Sequence, residues 1–501
     1  MERLVVSLLI PLLFFYVIKS QYSIIQSYHY EINKYFKYET TKKTILIIVN
    51  FILLMISFYL KNLMYNFICL ISIIINVFFI NKEKLKCTKR IKRFYLIYYL
   101  VTAITYTILP FNFLQSILIL NNLIIFLLIV SHFISSLIEH IILNVYAIDA
   151  KKYIKDKKVI GITGSYGKTS CKNMIYDMLK NFSNVSKTPK SFNTKVGIIK
   201  SIRENINEFD DIFICEYGVD KKGGMDKLLK VVKPNISLIT EIGPQHILTF
   251  KSIENIVNEK TKIAKCLKED ETVVINNDNK YLKNKKKDFK CKVISYGIKT
   301  DSDVMAKNIS VSKYGSTFDL FIKQKFTKTI TINILGEHNI LNVLGSIGVL
   351  IAMNINIEKI DYLVGKIKPV EHRLELKKIN GIKVIDDSFN SNELGFKNAV
   401  DTLCLMEGEK IVITPGVIEQ GANSEKVNYE LGKYMSDKVD IVVLEGENSA
   451  AIKKGLINGG FNKEKIFEKN NFFESWELIK KIQLEEKIIL IENDLPSIYL
   501  K

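Results

Sequence analysis

The pattern of apolar and polar residues divides the chain into two parts. The first 150 residues are almost entirely Ile, Leu, Phe, Tyr and Val, whereas the rest alternates short apolar runs with charged segments. Five apolar runs, at about 4–18, 45–60, 63–80, 94–109 and 114–138, predict about five membrane helices. The first run lacks the basic flank and small-residue cleavage site of a signal peptide, so we expect a retained helix. The pattern therefore predicts an all-α transmembrane region over residues 1–150.

The charges between the apolar runs predict the orientation of this region. The segment 81–93 carries seven Lys and Arg residues against one acid, and the 20–44 segment is also net basic. Basic loops stay on the cytoplasmic side of a membrane, so the chain after residue 150 should be cytoplasmic. The apolar runs carry few ionisable groups, and Glu139 with His140 is expected at a helix end. We therefore predict a multi-pass cell-membrane anchor and disfavour a transporter.

After residue 150, apolar runs of strand length alternate with helical patterns. The predicted strands lie at 159–162, 211–218, 235–246, 273–278 and 292–297, and residues 303–335 predict a small antiparallel piece. These elements define an α/β P-loop central domain over 151–370. Further strands at 381–390, 410–415, 440–444 and 487–492 predict an α/β Rossmann-like C-terminal domain over 371–501, with a parallel sheet.

A glycine-rich loop follows the first of these strands. Its backbone N–H groups can turn toward an anion, and the helix that begins after it adds partial positive charge. Lys168 can reach terminal phosphates, and the Thr169 hydroxyl can ligate Mg²⁺. Ile162 replaces the first glycine of the strict P-loop template, and a turn without function is the alternative. The predicted nucleotide-binding residues of this loop are Thr163, Gly164, Ser165, Gly167, Lys168, Thr169 and Ser170.

Further polar residues follow other predicted strands of the central domain. Glu216 ends a buried strand, where a carboxylate can share the Mg²⁺ of Thr169, and His246 follows the next strand. On the helical pattern alone, Lys260 is expected at the solvated surface. Asn339 and Asn342 lie on the first turn of a later helix, where their amides could contact an adenine edge or cap the helix.

Composition narrows the range of partners. The net charge is +19, but it comes mostly from scattered Lys residues without a basic stripe interleaved with aromatics, so we expect no nucleic-acid partner. The seven cysteines are widely separated, which indicates reduced thiols.

Six separated motifs, in order, resemble the Mur ligases, which build the peptide stem of peptidoglycan. The branch that adds D-alanyl-D-alanine to a UDP-muramoyl tripeptide is the most similar. Together the motifs span about 155–500, and they are the Gly161 loop, Asn193 with Gly197, Glu216, 242–246, His338 to Asn342, and Arg373 followed by 386–390.

The resemblance implies a role for each matching position. Lys168, Glu216, His246 and Lys260 would be catalytic; Thr169, Glu216, His246 and Lys260 would hold Mg²⁺, with Lys260 carbamylated. Asn339 and Asn342 would lie by the adenine of ATP, Arg373 would contact ATP, and Asp387 and Asn390 would lie near the ribose.

The implied reaction joins a carboxylate to an amine. The carboxylate takes the γ-phosphate of ATP to give an acyl phosphate, and the amine then displaces phosphate. The predicted membrane helices stand where the family has its UDP-binding domain, which counts against the usual UDP-linked acceptor and favours a membrane-bound one. The acceptor is therefore left as either a UDP-muramoyl peptide or a membrane-linked analogue. The alternatives are a related ligase of another pathway, such as poly-glutamate capsule synthesis, and a catalytically silent membrane scaffold.

Overall fold

The structure is a computed structural model that describes residues 2–28, 30–33, 35, 85–109, 116, 119–120, 123–379, 381–389, 392–418, 423–482 and 486–493. It contains two compact units, Met1–Tyr146 and Ala147–Lys501. The apolar runs 45–60 and 63–80, and the predicted ribose contact Asn390, lie outside the described residues.

The described part of the N-terminal unit is helical. Its helices are α1 (Glu2–Leu13), α2 (Phe15–Ser27), α3 (Lys89–Ile108) and α4 (Ile124–Ile154), the last of which continues into the second unit. By length and composition α4 could cross a membrane, and so could the pair Val5–Leu12 and Val17–Ser27 if it counts as one bent span. The described residues therefore contain one such helix, or two, where about five were predicted for the whole region.

Two expectations for this unit are wrong in detail. The run 4–18 is not one helix, because α1 contains Pro11, which cannot donate a helical hydrogen bond, and the helix axis bends by 54° before α2. Glu139 does not lie at a helix end. It is buried within α4, and its carboxylate accepts hydrogen bonds from Arg93 Nε at 2.5 Å and Nη2 at 2.8 Å. A buried carboxylate needs such a partner.

The second unit begins with a nine-stranded sheet in the order β2-β3-β1-β4-β5-β6-β7-β8-β9. The first seven strands in this order run parallel, and β7, β8 and β9 pair antiparallel, as predicted for 303–335. The strands are β1 (Lys158–Thr163), β2 (Val185–Lys187), β3 (Ile212–Glu216), β4 (Ile236–Ile239), β5 (Thr272–Asn276), β6 (Lys292–Gly297), β7 (Val304–Ser312), β8 (Gly315–Ile322) and β9 (Lys325–Ile332).

Helices cover both faces of this sheet. Successive side chains of β1 point to opposite faces of the sheet. Ile160 and Ile162 pack in the apolar cluster on one face, and Val159 packs in the cluster on the other. The helices are α5 (Lys168–Leu179), α6 (Lys195–Asn205), α7 (Gly224–Leu229), α8 (Ile247–Phe250), α9 (Ile253–Lys265), α10 (Lys280–Lys285), α11 (Glu337–Ala352) and α12 (Ile360–Val364). Helix α5 starts immediately after the glycine loop, as predicted.

A second sheet, of six strands in the order β10-β11-β15-β12-β13-β14, occupies the C-terminal part. The prediction of a Rossmann-like parallel sheet is confirmed except at one edge, where β10 pairs antiparallel with β11. The sequence of β10 has only a weak alternation of apolar residues, so the strand was missed. The elements are β10 (Glu375–Ile379), β11 (Ile382–Asp387), α13 (Glu393–Cys404), β12 (Glu409–Thr414), α14 (Ser424–Met435), β13 (Ile441–Glu445), α15 (Ser449–Asn458), β14 (Ile466–Lys469), α16 (Phe472–Lys481) and β15 (Lys487–Glu492).

Candidate active site

A cavity of about 290 Å³ lies where the central parallel strands end, at the carboxyl edge of the first sheet. This edge is where open α/β sheets bind ligands. The predicted site residues that line the cavity are Ser165, Gly167, Lys168, Thr169, Ser170, Glu216, His246 and Arg373. Thr163, Gly164, Lys260, Asn339, Asn342 and Asp387 are not among its lining residues.

The glycine loop between β1 and α5 has the backbone that a phosphate cradle needs. Gly164 and Gly167 have φ of 153° and 80°, which residues with a side chain rarely adopt. A Cβ at Gly164 would lie 1.9 Å from Thr240 Oγ1, so the loop passes too close to β4 for any larger residue. The residue after Thr240 also holds the loop, because the backbone N–H of Ser165 donates to Glu241 O at 2.6 Å. The positive-φ glycines and α5 together form a rigid anion site.

Two lysines approach this loop and share one acceptor. The Nζ atoms of Lys168 and Lys260 donate to Gly164 O at 2.8 Å and 2.9 Å, and Lys168 also donates to Ser165 O. Burial lowers the pKa of Lys168 to about 8, although the negative charge of Glu216 opposes this shift. Burial, together with the charge of Lys168, lowers the pKa of Lys260 well below its ordinary value.

The surface position expected for Lys260 from the helical pattern alone is therefore wrong. The residue is 1% exposed within α9, because its ammonium reaches a carbonyl of the glycine loop.

The Glu216 carboxylate is held by donors from two segments. Thr169 Oγ1 and Lys172 Nζ each donate to its Oε2 atom at 3.0 Å, and Asn193 Nδ2 donates to its Oε1 atom at 3.0 Å. Burial alone would raise the pKa of Glu216, but the charges of Lys172 and Lys168 and the Asn193 hydrogen bond hold it below its ordinary value. Glu216 is therefore an anion at neutral pH.

Lys172 contacts the site, and the sequence did not single it out. It lies three residues after Thr169 on α5, so the helical spacing places both side chains on the same face. That spacing was the available signal, but a lysine in a helix is usually solvated, and nothing local indicates that Glu216 would meet it.

The predicted metal ligands fit Mg²⁺ in part. The Thr169 hydroxyl and the Glu216 carboxylate lie side by side on the cavity wall, and hard oxygen ligands of this kind suit Mg²⁺, which keeps most of its coordination for waters and phosphates. Among the described residues no group of three or more His, Cys, Asp and Glu side chains surrounds a common point. A metal here would therefore depend on the nucleotide for further ligands.

His246 also reaches the cavity, from the turn after β4. Its backbone is left-handed, with φ of 55°, at the residue that precedes α8. This conformation is uncommon for a residue with a side chain, although His adopts it more often than most. Gln245 lines the cavity beside it.

Asn339 and Asn342 make contacts within the protein. Asn339 is 2% exposed, and its Nδ2 atom donates to Leu335 O at 2.9 Å. Asn342 Nδ2 donates to Asn339 Oδ1 at 3.3 Å, and a Cβ at Gly167 would lie 2.4 Å from Asn342 Oδ1. The two amides thus support the glycine loop from behind, and neither caps α11, which begins after Gly336. Their contact with adenine stays a prediction.

Arg373 brings the C-terminal part to the cavity. Its Nη1 atom donates to Phe389 O at 2.5 Å, and its guanidinium stands 4.6 Å from the centre of the Phe389 ring. Burial lowers the pKa of Arg373, although the negative charges of Asp387 and Glu216 oppose this shift. Burial raises the pKa of Asp387 to about 6, and its Oδ1 atom accepts the backbone N–H of Leu374 at 3.2 Å. Asp387 therefore fixes the chain beside Arg373.

The comparison with known proteins gives matches over both parts of the second unit. Residues 162–350 match the Mur ligase middle domain, and residues 372–491 match the Mur ligase, glutamate ligase domain.

Relatives with assigned names match over a similar length. The UDP-N-acetylmuramoyl-tripeptide–D-alanyl-D-alanine ligase of Bacillus subtilis (strain 168) is 31% identical over 323 residues, which are 63% of this chain and 69% of the relative. The protein of the same name from Buchnera aphidicola subsp. Baizongia pistaciae is 30% identical over 66% of this chain and 71% of its own length. In structure, MurF ligase from Thermotoga maritima in complex with ADP shares the fold, with a TM-score of 0.62 and 21% identity over 70% of this chain and 80% of that one.

Proposed function

Because the chain belongs to the Mur ligase family and is an ATP-dependent ligase of that type, we propose that it adds D-alanyl-D-alanine to a UDP-N-acetylmuramoyl tripeptide in peptidoglycan precursor synthesis. The proposal takes its substrates from the names of the Bacillus and Buchnera relatives. The carboxylate acceptor is the muramoyl peptide, free or linked to a membrane carrier, and D-alanyl-D-alanine supplies the amine.

The observation that carries the proposal is one cavity that joins three groups. The glycine loop with Lys168, the Glu216 carboxylate and Arg373 all line it. A loop of this kind cradles phosphates, and cations on both sides can neutralise the charge that develops when a phosphoryl group moves to a carboxylate.

The residues of the chain divide this work. Lys168 would contact the terminal phosphates, Arg373 would approach them from the C-terminal sheet, and the glycine loop would hold the remainder of the polyphosphate. Thr169 and Glu216 would hold Mg²⁺, with His246 and Lys260 as further candidates; the ion would add Lewis-acid stabilisation of the phosphate oxygens. Ser191, Asn193 and Thr194 also line the cavity, and we propose that the acceptor carboxylate lies beside them.

We also propose that the N-terminal region anchors the protein in the cell membrane with the catalytic part in the cytoplasm. Two features support the anchor, the apolar helix α4 and the basic segment 81–93. Extraction of cell membranes at alkaline pH should leave the full-length protein in the pellet, and protease added to intact spheroplasts should spare the second unit. Recovery in the alkaline supernatant would refute the anchor, and cleavage of the second unit would refute its orientation.

The test of the reaction is phosphate release by the full-length protein with ATP and Mg²⁺. We expect release only when UDP-N-acetylmuramoyl tripeptide and D-alanyl-D-alanine are both present, and a loss of about 10²-fold or more in Lys168→Met, since a charge-stabilising donor to the phosphates is removed. Turnover with another pair, such as a glutamyl acceptor and glutamate, would refute the proposed substrates and favour the capsule-type alternative. Absence of turnover with a broad panel would favour the silent scaffold.

A further inference from the structure

A buried lysine outside the predicted site contacts the carboxylate at its centre. Lys172 lies one turn after Lys168 on α5 and is 1% exposed. Its Nζ atom donates to Glu216 Oε2 at 3.0 Å and also to the backbone carbonyl of Lys190. The side chains of Lys172 and Glu216 are each only 1% exposed, so the ion pair is shielded from water and salt.

The pair is part of a wider arrangement around the carboxylate. Thr169 donates to the same Oε2 atom as Lys172, whereas Asn193 donates to Oε1. A carboxylate with donors on both oxygens has a fixed plane, and charge-assisted hydrogen bonds fix it more strongly than neutral ones. The plane of Glu216 decides which lone pair faces the cavity beside Thr169.

The second contact of Lys172 reaches a segment whose next residues line the cavity. Lys190, whose carbonyl accepts from Lys172, has a left-handed backbone with φ of 46°. The segment after it supplies the wall residues Ser191, Asn193 and Thr194. One ammonium therefore connects the helix of the glycine loop, the strand-end carboxylate and the facing loop.

Burial of an ammonium group costs folding free energy. A purely structural role therefore does not explain why a lysine occupies this position. An apolar side chain could fill the same volume beside a neutral partner at equal or better stability. Lys172 is needed only because Glu216 is kept as a buried anion. That anion lines the cavity next to the Thr169 hydroxyl, where it can ligate a cation.

We propose that Lys172 is a positioning residue that holds Glu216 in the orientation in which it ligates a nucleotide-bound divalent cation. The inference rests on the proposed Mg²⁺ site at Thr169 and Glu216, but it does not depend on the identity of the acceptor or the amine. Groups that orient a metal ligand typically change metal affinity by about 10- to 100-fold when they are removed.

The experiment measures ADP binding to the full-length protein by isothermal titration calorimetry, with EDTA and with Mg²⁺. The ratio of the two affinities is the Mg²⁺ gain. In Lys172→Met we expect the gain to fall about tenfold or more, while the affinity in EDTA changes little because Lys172 does not line the cavity. Lys172→Arg should keep most of the gain, since it keeps the charge and the donors.

Lys180→Met is the matched control, because Lys180 directly follows the last residue of the same helix and forms an ion pair with Asp177 that is more exposed than the Lys172–Glu216 pair. It should leave the Mg²⁺ gain unchanged. If Lys172→Met does not fold, as judged by circular dichroism, Lys172→Gln is measured in its place with the same expected fall.

Three outcomes would contradict the proposed role of Lys172. An unchanged or larger Mg²⁺ gain in the neutral variant would overturn the positioning role and leave Lys172 as a structural residue. An equal fall in the Arg and Met variants would also overturn it, because the charge would then be irrelevant. A wild-type protein without any Mg²⁺ gain would refute the proposed Mg²⁺ site, and this inference with it, but would leave the proposed substrates untouched.

Discussion

Substitution of Gly167 by Ala should damage the glycine loop in two ways that can be measured separately. The residue has φ of 80°, and an added Cβ would lie 2.4 Å from Asn342 Oδ1. Gly223 offers a matched control, because its φ is 76° and nothing lies within 4 Å of an added Cβ. The backbone strain is therefore common to both variants, and only Gly167→Ala adds a collision.

The magnitudes follow from the local contacts. An Ala in the left-handed region costs about 1–2 kcal/mol. Relief of the collision requires the Asn342 amide to move, which breaks its hydrogen bond to Asn339 and costs about 0.5–1.5 kcal/mol more. We expect Gly223→Ala to cost about 1–2 kcal/mol and Gly167→Ala about 1.5–3.5 kcal/mol.

The cost of Gly167→Ala can appear in either of two measurements. If the loop keeps its conformation, urea unfolding of the nucleotide-free protein reports the loss of stability. If the loop moves, ADP binding must restore it, and about 2 kcal/mol corresponds to about 30-fold weaker binding. Gly223→Ala should leave ADP affinity unchanged, and Gly167→Ala combined with Asn342→Ala should recover part of the loss. The reasoning is refuted if Gly167→Ala is no worse than Gly223→Ala in both measurements.

Three further predictions concern the charged groups of the site. Since burial lowers the pKa of Lys168 to about 8, ADP binding should take up protons near about pH 9 and few near about pH 6.5; calorimetry in buffers of different ionisation enthalpy should show this, and Lys168→Met should abolish it. Because the pKa of Lys260 is also lowered, its neutral amine can add carbon dioxide, and native mass spectrometry in bicarbonate should show that added mass in wild type but not in Lys260→Arg. Glu216→Gln should lose about 3–5 kcal/mol at pH 7, because Lys172 is left unpaired. Because the pKa of Glu216 is depressed, the wild type loses part of this contribution as the pH falls below the ordinary glutamate pKa of about 4.3, so urea midpoints that do not approach each other at acid pH would contradict the assignment.

The elements that the sequence predicted well are those whose signal is local. The apolar run before the glycine loop, the glycines and the helix after them all appear as expected, because backbone conformation and a nearest-neighbour pattern determine them. The burial of Lys260 and Lys172 could not be predicted in this way. Their acceptors are Gly164 and Glu216, which lie 96 and 44 residues away along the chain. Only the parallel sheet brings these groups to one edge, so helical periodicity by itself indicated a solvated lysine.

Short polar contacts also limited the prediction outside the site. Arg93 and Glu139 neutralise each other across two helices, which allows an acid to lie inside an apolar helix where the sequence suggested a helix end. In the C-terminal sheet, β10 was missed since its polar residues form ion pairs along an edge, as Lys377 does with Asp386 at 2.7 Å. In both places the pairing of charges replaces the apolar pattern on which the prediction depended.

The cations of the site show why nucleotide and protein should be strongly coupled. Burial removes water from Lys168 and Arg373 in the free protein and thereby lowers the pKa of both groups. Glu216 acts on both groups with its negative charge, but Lys172 already holds one of its oxygens. A polyphosphate in the cavity would supply the missing negative charge to Lys168 and Arg373 at once, although Lys168 begins α5 and Arg373 lies just before β10. Nucleotide binding should therefore stabilise the approach of the C-terminal sheet to the glycine loop, and excess positive charge in the free site is the physical reason to expect it.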